Sequence, residues 1–316
     1  MNPILALIIA NTIWGAASPI FKYSLTNIPP FTLAFIRFFS ASFIFLPFLR
    51  NFKYKELTAS DWFHILAGGF FGITINITFF FLGLQRTESI NAPVIASTGP
   101  LFLFLFSVVF LKEKPKLRVF LGMVLSFMGI LLIVFSPILF DGKEINEVGV
   151  FEGNLMLVVA TLGSVMAAVC LKKVLEKVNP LVVTFFTFFT SSLLFVPFIP
   201  KELSTWSFSS LDTAGWTGIL FGVFFSSALA YYLYYYGLSR IRAQEVGVFT
   251  YIDPIVAVII AIPLLHEYPN LHYFIGSFLV FAGIFISERR IHYHPVFKIR
   301  QYREIMRSEP TERHFF

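Results

Sequence analysis

Apolar runs of about 20 residues alternate with short polar stretches along nearly the whole chain. At 1.5 Å per residue, a helix of that length matches a hydrocarbon core roughly 30 Å thick. The runs lack the period-two alternation of a transmembrane β-barrel, and in lipid a helix satisfies its own backbone hydrogen bonds. The pattern therefore predicts an all-α integral membrane protein with ten transmembrane helices, at residues 3–26, 31–49, 62–84, 90–111, 117–138, 153–174, 180–199, 213–238, 244–266 and 271–288.

The apolar segment from Gly83 to Pro115 has a counterpart from Gly237 to Pro269. Both segments contain a glycine, an arginine, a mid-segment proline, a glutamate and a terminal proline, and the constant offset between them is 154. The matching pairs are Gly83/Gly237, Arg86/Arg240, Pro100/Pro254, Glu113/Glu267 and Pro115/Pro269. The recurrence indicates an internal duplication.

Each half of this duplication contains five predicted spans. Because five is an odd number, the second half must enter the membrane from the opposite side, so we predict two inverted repeats around a central site exposed alternately to both sides. The predicted units are a first five-helix repeat at 1–138, an acidic external connection at 139–152, a second repeat at 153–289 and a basic cytoplasmic tail at 290–316.

Composition and charge placement support this topology. Hydrophobic residues make up 57% of the chain and charged residues only 13%, which excludes an ordinary soluble protein. Of the 24 Lys and Arg residues, 19 fall in loops on one predicted side or in the tail, so the positive-inside rule predicts that both termini are cytoplasmic. The net charge of +6 therefore reflects topology rather than nucleic-acid binding. We expect a multi-pass protein of the plasma (inner) membrane.

Signatures of an enzyme are missing from the sequence. It contains no P-loop, no aspartate-rich prenyl-transfer motif and no Ser-His-Asp candidate on the loops. Six scattered histidines lack a metal-ligand pattern, and the single cysteine, Cys170, excludes an intramolecular disulfide or a cysteine-based metal cluster. We therefore expect no enzyme activity, no cofactor and no bound metal.

Three motifs resemble EamA-type members of the drug/metabolite transporter (DMT) superfamily. They are Trp14-Gly15 in the first helix, Arg37-Phe38 in the second, and a proline-centred fourth helix that ends in Lys-Glu. The resemblance covers about residues 3–289. It implies a ten-helix bundle whose central cavity is lined mainly by the first four helices of each repeat, with the fifth helices at the periphery. Members of this family typically export amino acids or other small metabolites, commonly using an ion or substrate gradient.

Asp253 is an acidic residue near the middle of a predicted span. A charge at that depth costs a few kcal/mol or more, so intramembrane carboxylates usually face a cavity and function there. Asp253 is therefore a candidate for proton coupling or for contact with a solute. Two alternatives stay open, namely a structural salt bridge and a permanently neutral acid bonded to backbone that Pro254 frees. The repeat mate of Asp253 is Gly99.

Arg37 lies roughly 9 Å inside the start of the second helix. A cavity that holds Arg37, Lys22 or both beside Asp253 suits a zwitterion, with the cation on its carboxylate and the aspartate on its amine. The alternative is that Arg37 braces neighbouring helices. The first two helices of the two halves match at an offset of 150, as Pro30/Pro180 and Pro47/Pro197 do, so the repeat mate of Arg37 is Thr187. Lys22, about one turn inside the end of the first helix, is expected to extend to the membrane interface.

Further candidates for the solute pathway are polar and aromatic positions on helix faces. Asn11 and Trp14 share a polar stripe on the first helix. Asn76 either lines the pathway or joins two helices by a hydrogen bond. Tyr231 lies deeper than Tyr234 and Tyr236, which are expected in an interfacial aromatic belt. The complete predicted pathway is Asn11, Trp14, Arg37, Asn76, Thr98, Tyr231, Tyr251 and Asp253.

The duplicated prolines and glutamates are the remaining candidates. Pro100 and Pro254 lie near the middle of their spans, where each removes a backbone donor, so we predict a paired hinge or helix break. The alternative is that prolines are simply common in membrane helices. Glu113 and Glu267 end the fourth and ninth helices on opposite sides of the membrane, where they are either gates or helix-end signals.

The sequence favours a secondary active transporter that exports a small polar metabolite, such as an amino acid, by alternating access around a midplane site. The alternative is a facilitator or multidrug-type exporter of drug-like or quaternary cations, held by tyrosines and Asp253. A non-transporting membrane scaffold or enzyme is the remote alternative. The expected partners are a small-molecule solute and the lipid bilayer, without nucleic acid, and a homodimer remains open.

Overall fold

The computed structural model describes residues 1–50, 52, 57–99, 101–102, 117–139, 149–241 and 246–288. All regular elements within these ranges are helical. Among the described residues, six helices are long and apolar enough to cross a membrane, namely Pro3–Ser24, Pro30–Leu49, Ala59–Leu84, Val150–Leu175, Pro180–Leu203 and Thr213–Arg240. Three shorter apolar helices are Val124–Ile133, Phe249–Leu265 and Leu271–Ile286. The chain is an all-α, integral multi-pass membrane protein, while the count of ten spans stays a prediction.

The α-helices are numbered here in chain order. They are α1 (Pro3–Ser24), α2 (Pro30–Phe45), α3 (Ala59–Gly69), α4 (Asn76–Leu84), α5 (Asn91–Ala96), α6 (Leu117–Leu139), α7 (Gly149–Leu175), α8 (Pro180–Leu193), α9 (Ile199–Leu203), α10 (Thr213–Leu220), α11 (Ala230–Arg240), α12 (Asp253–Leu265) and α13 (Leu271–Glu288). Much of the predicted fourth span, with Pro100 and Glu113, lies outside the described residues, as do residues 140–148 and the predicted tail.

Proline and polar caps determine where several helices begin. Pro30 and Pro180 open α2 and α8, because the first turn of a helix does not need the N–H that proline lacks. α3 begins at Ala59 rather than at the predicted residue 62, because Thr58 and Asp61 form a reciprocal capping box. These local signals fix the residue at which each helix begins. They therefore help to determine which polar residues of each span face the bundle.

Two long spans contain a π-helical stretch at matched positions. Phe70–Ile75 joins α3 to α4, and Phe221–Leu229 joins α10 to α11. At the offset of 154, the first stretch corresponds to Phe224–Leu229 within the second. π-Helical turns interrupt regular hydrogen bonding and occur frequently at functional sites. The sequence duplication is therefore accompanied by a matched backbone feature.

α6 and α13 pack closely along each other through glycines. A Cβ atom on Gly129 would lie 2.6 Å from Gly276 O, and Gly283 is equally crowded by Ser126. The hydroxyl of Ser126 also donates to Val280 O at 2.9 Å. Small residues that allow such close backbone approach are typical of membrane helix interfaces.

Gly129→Leu is expected to lower the thermal unfolding temperature in detergent by about 5 °C or more. Overpacking typically costs about 1–3 kcal/mol, and a backbone carbonyl cannot move aside as a flexible side chain can. Val124→Leu is the control, since Val124 lies on the exposed face of the same helix. Equal unfolding temperatures for the two variants would contradict the glycine interface.

Candidate functional site

A cavity of about 200 Å³ lies inside the bundle and takes its walls from both halves of the chain. The first half contributes α1, α2, α4, α5 and the π-helical residue Gly72. The second half contributes α7, α11, the start of α12, the π-helical residue Ser226 and the 3-10 residue Thr250. Among the described residues, α6, α8 and α13 contribute none of the lining. Apart from α8, this matches the lining that the family resemblance implies.

Five of the eight predicted pathway residues line the cavity, namely Trp14, Arg37, Asn76, Tyr231 and Asp253. The other three lie outside its lining. Asn11 is buried and donates to Leu7 O at 2.7 Å, and Thr98 is buried and donates to Ile95 O at 2.6 Å. Tyr251 packs edge-on against an aromatic ring of α13. The polar stripe of α1 therefore reaches the cavity at Trp14 but not at Asn11.

Asn76 combines the two roles that the sequence left open. Its side chain lines the cavity, and its Nδ2 donates to Ala160 O of α7 at 2.7 Å. Gly163 of α7 lies against the backbone of the same region, where a Cβ atom would be 2.8 Å from Phe71 O. The close approach of α7 to α4 explains how one amide can both join the helices and face the cavity.

Arg37 is almost completely buried, with 2% of its surface exposed. Its Nε donates to Ser227 Oγ at 2.6 Å and its Nη2 donates to Ser226 Oγ at 3.0 Å. The guanidinium carbon lies 4.6 Å from the ring centroid of Phe21 and 4.5 Å from that of Phe38. The Nη1 atom has no hydrogen-bond partner among the described residues. The guanidinium is thus firmly held, but one of its donor groups is unsatisfied.

Asp253 is 7% exposed and begins α12, directly after the 3-10 segment Gly247–Ile252. The backbone N–H of Asp253 donates to Thr250 O, which also accepts from Ser97 Oγ at 3.4 Å. Pro254 lies in the first turn of α12, where its missing N–H is not required. The Oδ1 atom of Asp253 has no partner among the described residues, which also form no salt bridge to it. The carboxylate is therefore buried at the cavity wall with an unsatisfied acceptor.

Aromatic side chains form another part of the wall. The Nε1 atom of Trp14 donates to Ser226 O at 3.1 Å, and the indole packs against Tyr231 and Tyr234 at centroid distances of 5.1 and 5.0 Å. Tyr234 lines the cavity, so its expected place in an interfacial belt is wrong. Tyr236 lies nearer the helix end, where its hydroxyl donates to Met1 O at 2.7 Å.

Sequence reasoning missed several polar residues of the site. Ser226 and Ser227 bind Arg37, and Thr161 and Ser164 of α7 line the cavity. Adjacent serines in the apolar span 213–238 were a detectable signal, because hydroxyls within a membrane span usually face other helices rather than lipid. Their partner could not be identified from the sequence, since Arg37 lies 190 residues away from Ser227.

The Gly99/Asp253 asymmetry is matched by a second asymmetry on the facing helices. Gly15 of α1 and Val165 of α7 correspond at an offset of 150. A Cβ atom on Gly15 would lie 2.7 Å from Asp253 O, whereas one on Gly99 would lie 3.4 Å from Val165 Cγ2. In each contact, a glycine of the first half therefore lies against a larger residue of the second half, with Gly15 against Asp253 and Gly99 against Val165. Gly15 allows α1 to pack directly against the backbone that carries the carboxylate.

An ion pair joins the end of α1 to the end of α12, at what we call the far end of the bundle. Lys22 Nζ lies 2.7 Å from Glu267 Oε1 and donates to Thr87 O at 2.6 Å. Glu267 Oε2 accepts from the backbone N–H and the hydroxyl of Ser89, at 2.8 and 2.6 Å. Lys22 is therefore held in an ion pair at the helix ends, and its extension to the membrane interface stays a prediction. His266, with a left-handed φ of 55°, turns the chain between α12 and Glu267.

The lysine contact recurs in the other half of the chain. Lys172 corresponds to Lys22 at an offset of 150, and it donates to Ile241 O at 3.0 Å. Ile241 corresponds to Thr87 at the offset of 154, so the same type of contact is made in both halves. The mate of Glu267 is Glu113, which lies outside the described residues.

Comparisons with known proteins indicate transport. The model of the EamA-like transporter family matches residues 1–135 and 151–288. The uncharacterized transporter YetK of Bacillus subtilis (strain 168) is 27% identical over 290 residues, which cover 91% of this chain and 87% of YetK. An uncharacterized transporter of Archaeoglobus fulgidus is 28% identical over 305 residues, covering 92% of this chain and 100% of that protein. One solved crystal structure shares the fold, with a TM-score of 0.64, 20% identity, and coverage of 92% and 99% of the two chains.

Proposed function

Because this chain belongs to the EamA-like transporter family, part of the drug/metabolite transporter superfamily, we propose that it is a secondary active transporter that exports a small zwitterionic metabolite, such as an amino acid. The protein is a membrane transporter rather than an enzyme. What the proposal adds to the family is the class of solute, the direction of transport and the residues that bind the solute.

One observation carries the choice of a zwitterion. Arg37 Nη1 and Asp253 Oδ1 both belong to residues that line the same cavity, and neither has a hydrogen-bond partner among the described residues. An unpaired buried charge costs several kcal/mol, and a partner of opposite sign offsets that cost. A solute with its carboxylate at Nη1 and its amine at Oδ1 satisfies both groups at once, whereas a solute with one charge satisfies only one of them.

The alternative substrate is a drug-like or quaternary cation, which the aromatic wall and Asp253 favour. Two features oppose it. The cavity of about 200 Å³ is smaller than the roughly 300–1,000 Å³ of sites for drug-sized ligands. Arg37 also brings a positive charge to the lining, which repels a cation. The remote alternative of a scaffold or enzyme disagrees with the family.

In the proposed cycle the two halves, 1–138 and 153–289, are inverted repeats that move against each other around the cavity. Both termini and the basic tail are cytoplasmic, and the protein resides in the plasma (inner) membrane. Asp253 takes up a proton on one side and releases it on the other, which couples export to the proton gradient. The change from 3-10 to α-helix at Asp253–Pro254 is the hinge of the second half, because regular hydrogen bonding is interrupted there.

Counterflow into proteoliposomes tests the solute class. Each L-amino acid is compared with its carboxamide, which lacks the negative charge, and with its deaminated acid, which lacks the positive charge. We expect exchange of amino acids that fit the cavity, and exchange of both analogues that is slower by about tenfold or more. An amide that exchanges as fast as its amino acid contradicts the role of Arg37, and a deaminated acid that does so contradicts the role of Asp253. Resistance to quaternary ammonium compounds without amino-acid exchange would support the cation alternative.

The ion pair between Lys22 and Glu267 is proposed to gate the far end, which the predicted topology makes extracellular. Glu267 accepts three hydrogen-bonding or ionic contacts from two other segments, so it holds α1, α12 and the Thr87–Ser89 turn together. The side chain of Glu267 is 9% exposed and that of Lys22 28% exposed, so solvent screens the pair only partly. Opening the far end requires these contacts to separate.

Glu267→Gln is expected to open the far end more often. Glutamine can still accept from Ser89, but it cannot pair with the Lys22 charge. Loss of about 1 kcal/mol corresponds to about fivefold faster labelling by an impermeant thiol reagent of Ala92→Cys, a cavity-lining position, in a Cys170→Ser background.

Glu152→Gln is the matched control for this gate. Glu152 lies 3.9 Å from Arg86 and is more than half exposed, so its removal should leave labelling unchanged. Equal labelling rates for Glu267→Gln and the parent protein would favour a simple helix-end role for Glu267.

A further inference from the structure

Three residues of one π-helical stretch hold the side chain of Arg37. Ser227 and Ser226 accept from its Nε and Nη2, and a Cβ atom on Gly222 would lie 3.2 Å from its Cγ and Cδ atoms. In a regular α-helix consecutive side chains diverge by about 100°, so adjacent serines rarely bind one group. The wider π-helical turn reduces that divergence. We call Gly222, Ser226 and Ser227 the arginine seat.

The arginine seat holds the guanidinium without neutralising it. Hydroxyl oxygens accept hydrogen bonds but carry no negative charge, so Arg37 keeps its full positive charge. The rings of Phe21 and Phe38 lie within cation–π distance of the guanidinium. With two of its nitrogens bound to serines, the guanidinium has Nη1 left for a further partner. A planar anion such as a carboxylate fits this donor, because it can lie in the plane of the guanidinium.

The matching positions in the first half do not form such a seat. At the offset of 154 they are Gly68, Gly72 and Ile73, and the mate of Arg37 is Thr187. Gly68 instead packs against Leu171, with its added Cβ in contact with that side chain. Serines therefore occur in the π-helical stretch that faces an arginine, and not in its counterpart. The serines thus accompany the arginine and are absent from the matching π-helical stretch. This indicates that they are needed to bind the arginine and not to form the π-helical turn.

The same stretch also connects the arginine to the aromatic wall. Trp14 Nε1 donates to the backbone oxygen of Ser226, whose hydroxyl binds Arg37. Trp14 in turn packs against Tyr231 and Tyr234 of α11. Ser226 is thus the residue through which the charged part of the cavity wall and its aromatic part keep a fixed relative position.

We infer that the arginine seat sets the selectivity of the cavity for carboxylate-bearing solutes, with Ser226 and Ser227 as positioning residues that aim Nη1 of Arg37. This inference rests on the proposed function, since it takes the anionic group of the solute as the partner of Nη1. When one serine of the arginine seat loses its hydroxyl, the guanidinium is free to rotate. Its Nη1 then turns towards the serine hydroxyl that remains, or away from the solute. Affinity for a carboxylate then falls, while a solute without a carboxylate loses nothing.

Ser226→Ala, Ser227→Ala and the double variant test the seat in proteoliposomes, with each transported amino acid and its carboxamide. We expect KM for the amino acid to rise about tenfold in each single variant and about 100-fold in the double variant, with kcat nearly unchanged. The KM for the carboxamide should stay within about twofold of wild type in all three variants. Ser227→Thr keeps a hydroxyl and is expected to retain the wild-type KM.

Ser42→Ala is the control, because Ser42 is a buried serine on the same helix as Arg37 and donates to Phe39 O within that helix. It should change neither KM. Equal increases in KM for the amino acid and the carboxamide in the seat variants would show a merely structural role and overturn the inference. An unchanged KM for both solutes would overturn it as well.

A second measurement separates failure of the seat from failure of the proposed function. If the wild type moves no amino acid, the proposed function fails, and thermal unfolding with hexanoate or hexanamide then decides the seat. Stabilisation by hexanoate but not by hexanamide, lost in the double serine variant, supports the seat. An equal response of wild type and double variant to hexanoate, including no response, overturns it.

Discussion

Asp253→Asn is expected to abolish solute accumulation driven by a pH gradient. Asparagine keeps the shape of the side chain, but it carries neither a titratable proton nor a charge that can pair with an amine. Removing one partner of a buried charge pair costs about 2–5 kcal/mol, which lowers affinity about 30-fold or more. Uptake of a labelled amino acid into proteoliposomes, with and without a pH gradient, measures both accumulation and exchange.

Two further variants make this result interpretable. Asp253→Glu keeps a carboxylate and should retain pH-dependent accumulation at a reduced rate. Asp61→Asn removes a carboxylate that caps α3 through Thr58, so it should lower stability but leave pH dependence intact. Loss of accumulation with preserved exchange would assign Asp253 to proton coupling alone, and loss of both would assign it also to the amine. Accumulation in Asp253→Asn with the wild-type rate and pH dependence would exclude both roles.

Arg37→Met is expected to abolish amino-acid exchange without lowering the thermal unfolding temperature. Replacing a buried charge by an apolar side chain of similar length is often neutral or stabilising, because the desolvation cost disappears. The two serines that Arg37 leaves behind can donate to carbonyl oxygens of the preceding helical turn. Counterflow and thermal unfolding in detergent, measured on the same preparation, test both parts of the expectation.

The same pair of measurements distinguishes the two interpretations of Arg37. If Arg37 only braces the helices, Arg37→Met should unfold several degrees earlier and the remaining folded protein should still exchange solute. Arg37→Lys is the companion variant, since lysine keeps the charge but lacks the planar fork that binds two hydroxyls and a carboxylate together. We expect Arg37→Lys to lose most amino-acid exchange, as Arg37→Met does.

Depth in the membrane was the signal that identified the charged residues of the site. A charge far from the interface requires a compensating environment, which distinguishes Asp253 and Arg37 in the sequence, and both line the cavity. Depth alone gave the wrong prediction for Tyr234. Its position close to a helix end predicts an interfacial aromatic belt, but the ring packs against Trp14 at the cavity. Depth also could not identify the partner of Lys22, because Glu267 follows a different span, 245 residues later in the chain.

The sequence by itself determined that the chain spans a membrane as helices, belongs to this transporter family and contains duplicated segments. These properties depend on the length of apolar runs, on the spacing of prolines and glycines, and on motifs that can be read locally. Only the tertiary structure decided which polar atoms are satisfied. Helix rotation, the π-helical stretches and the close packing at Gly15 bring Arg37 to Ser226 and Ser227, and leave Nη1 of Arg37 and Oδ1 of Asp253 without a partner among the described residues. Those outcomes depend on contacts between helices far apart in the chain, so no local pattern could specify them.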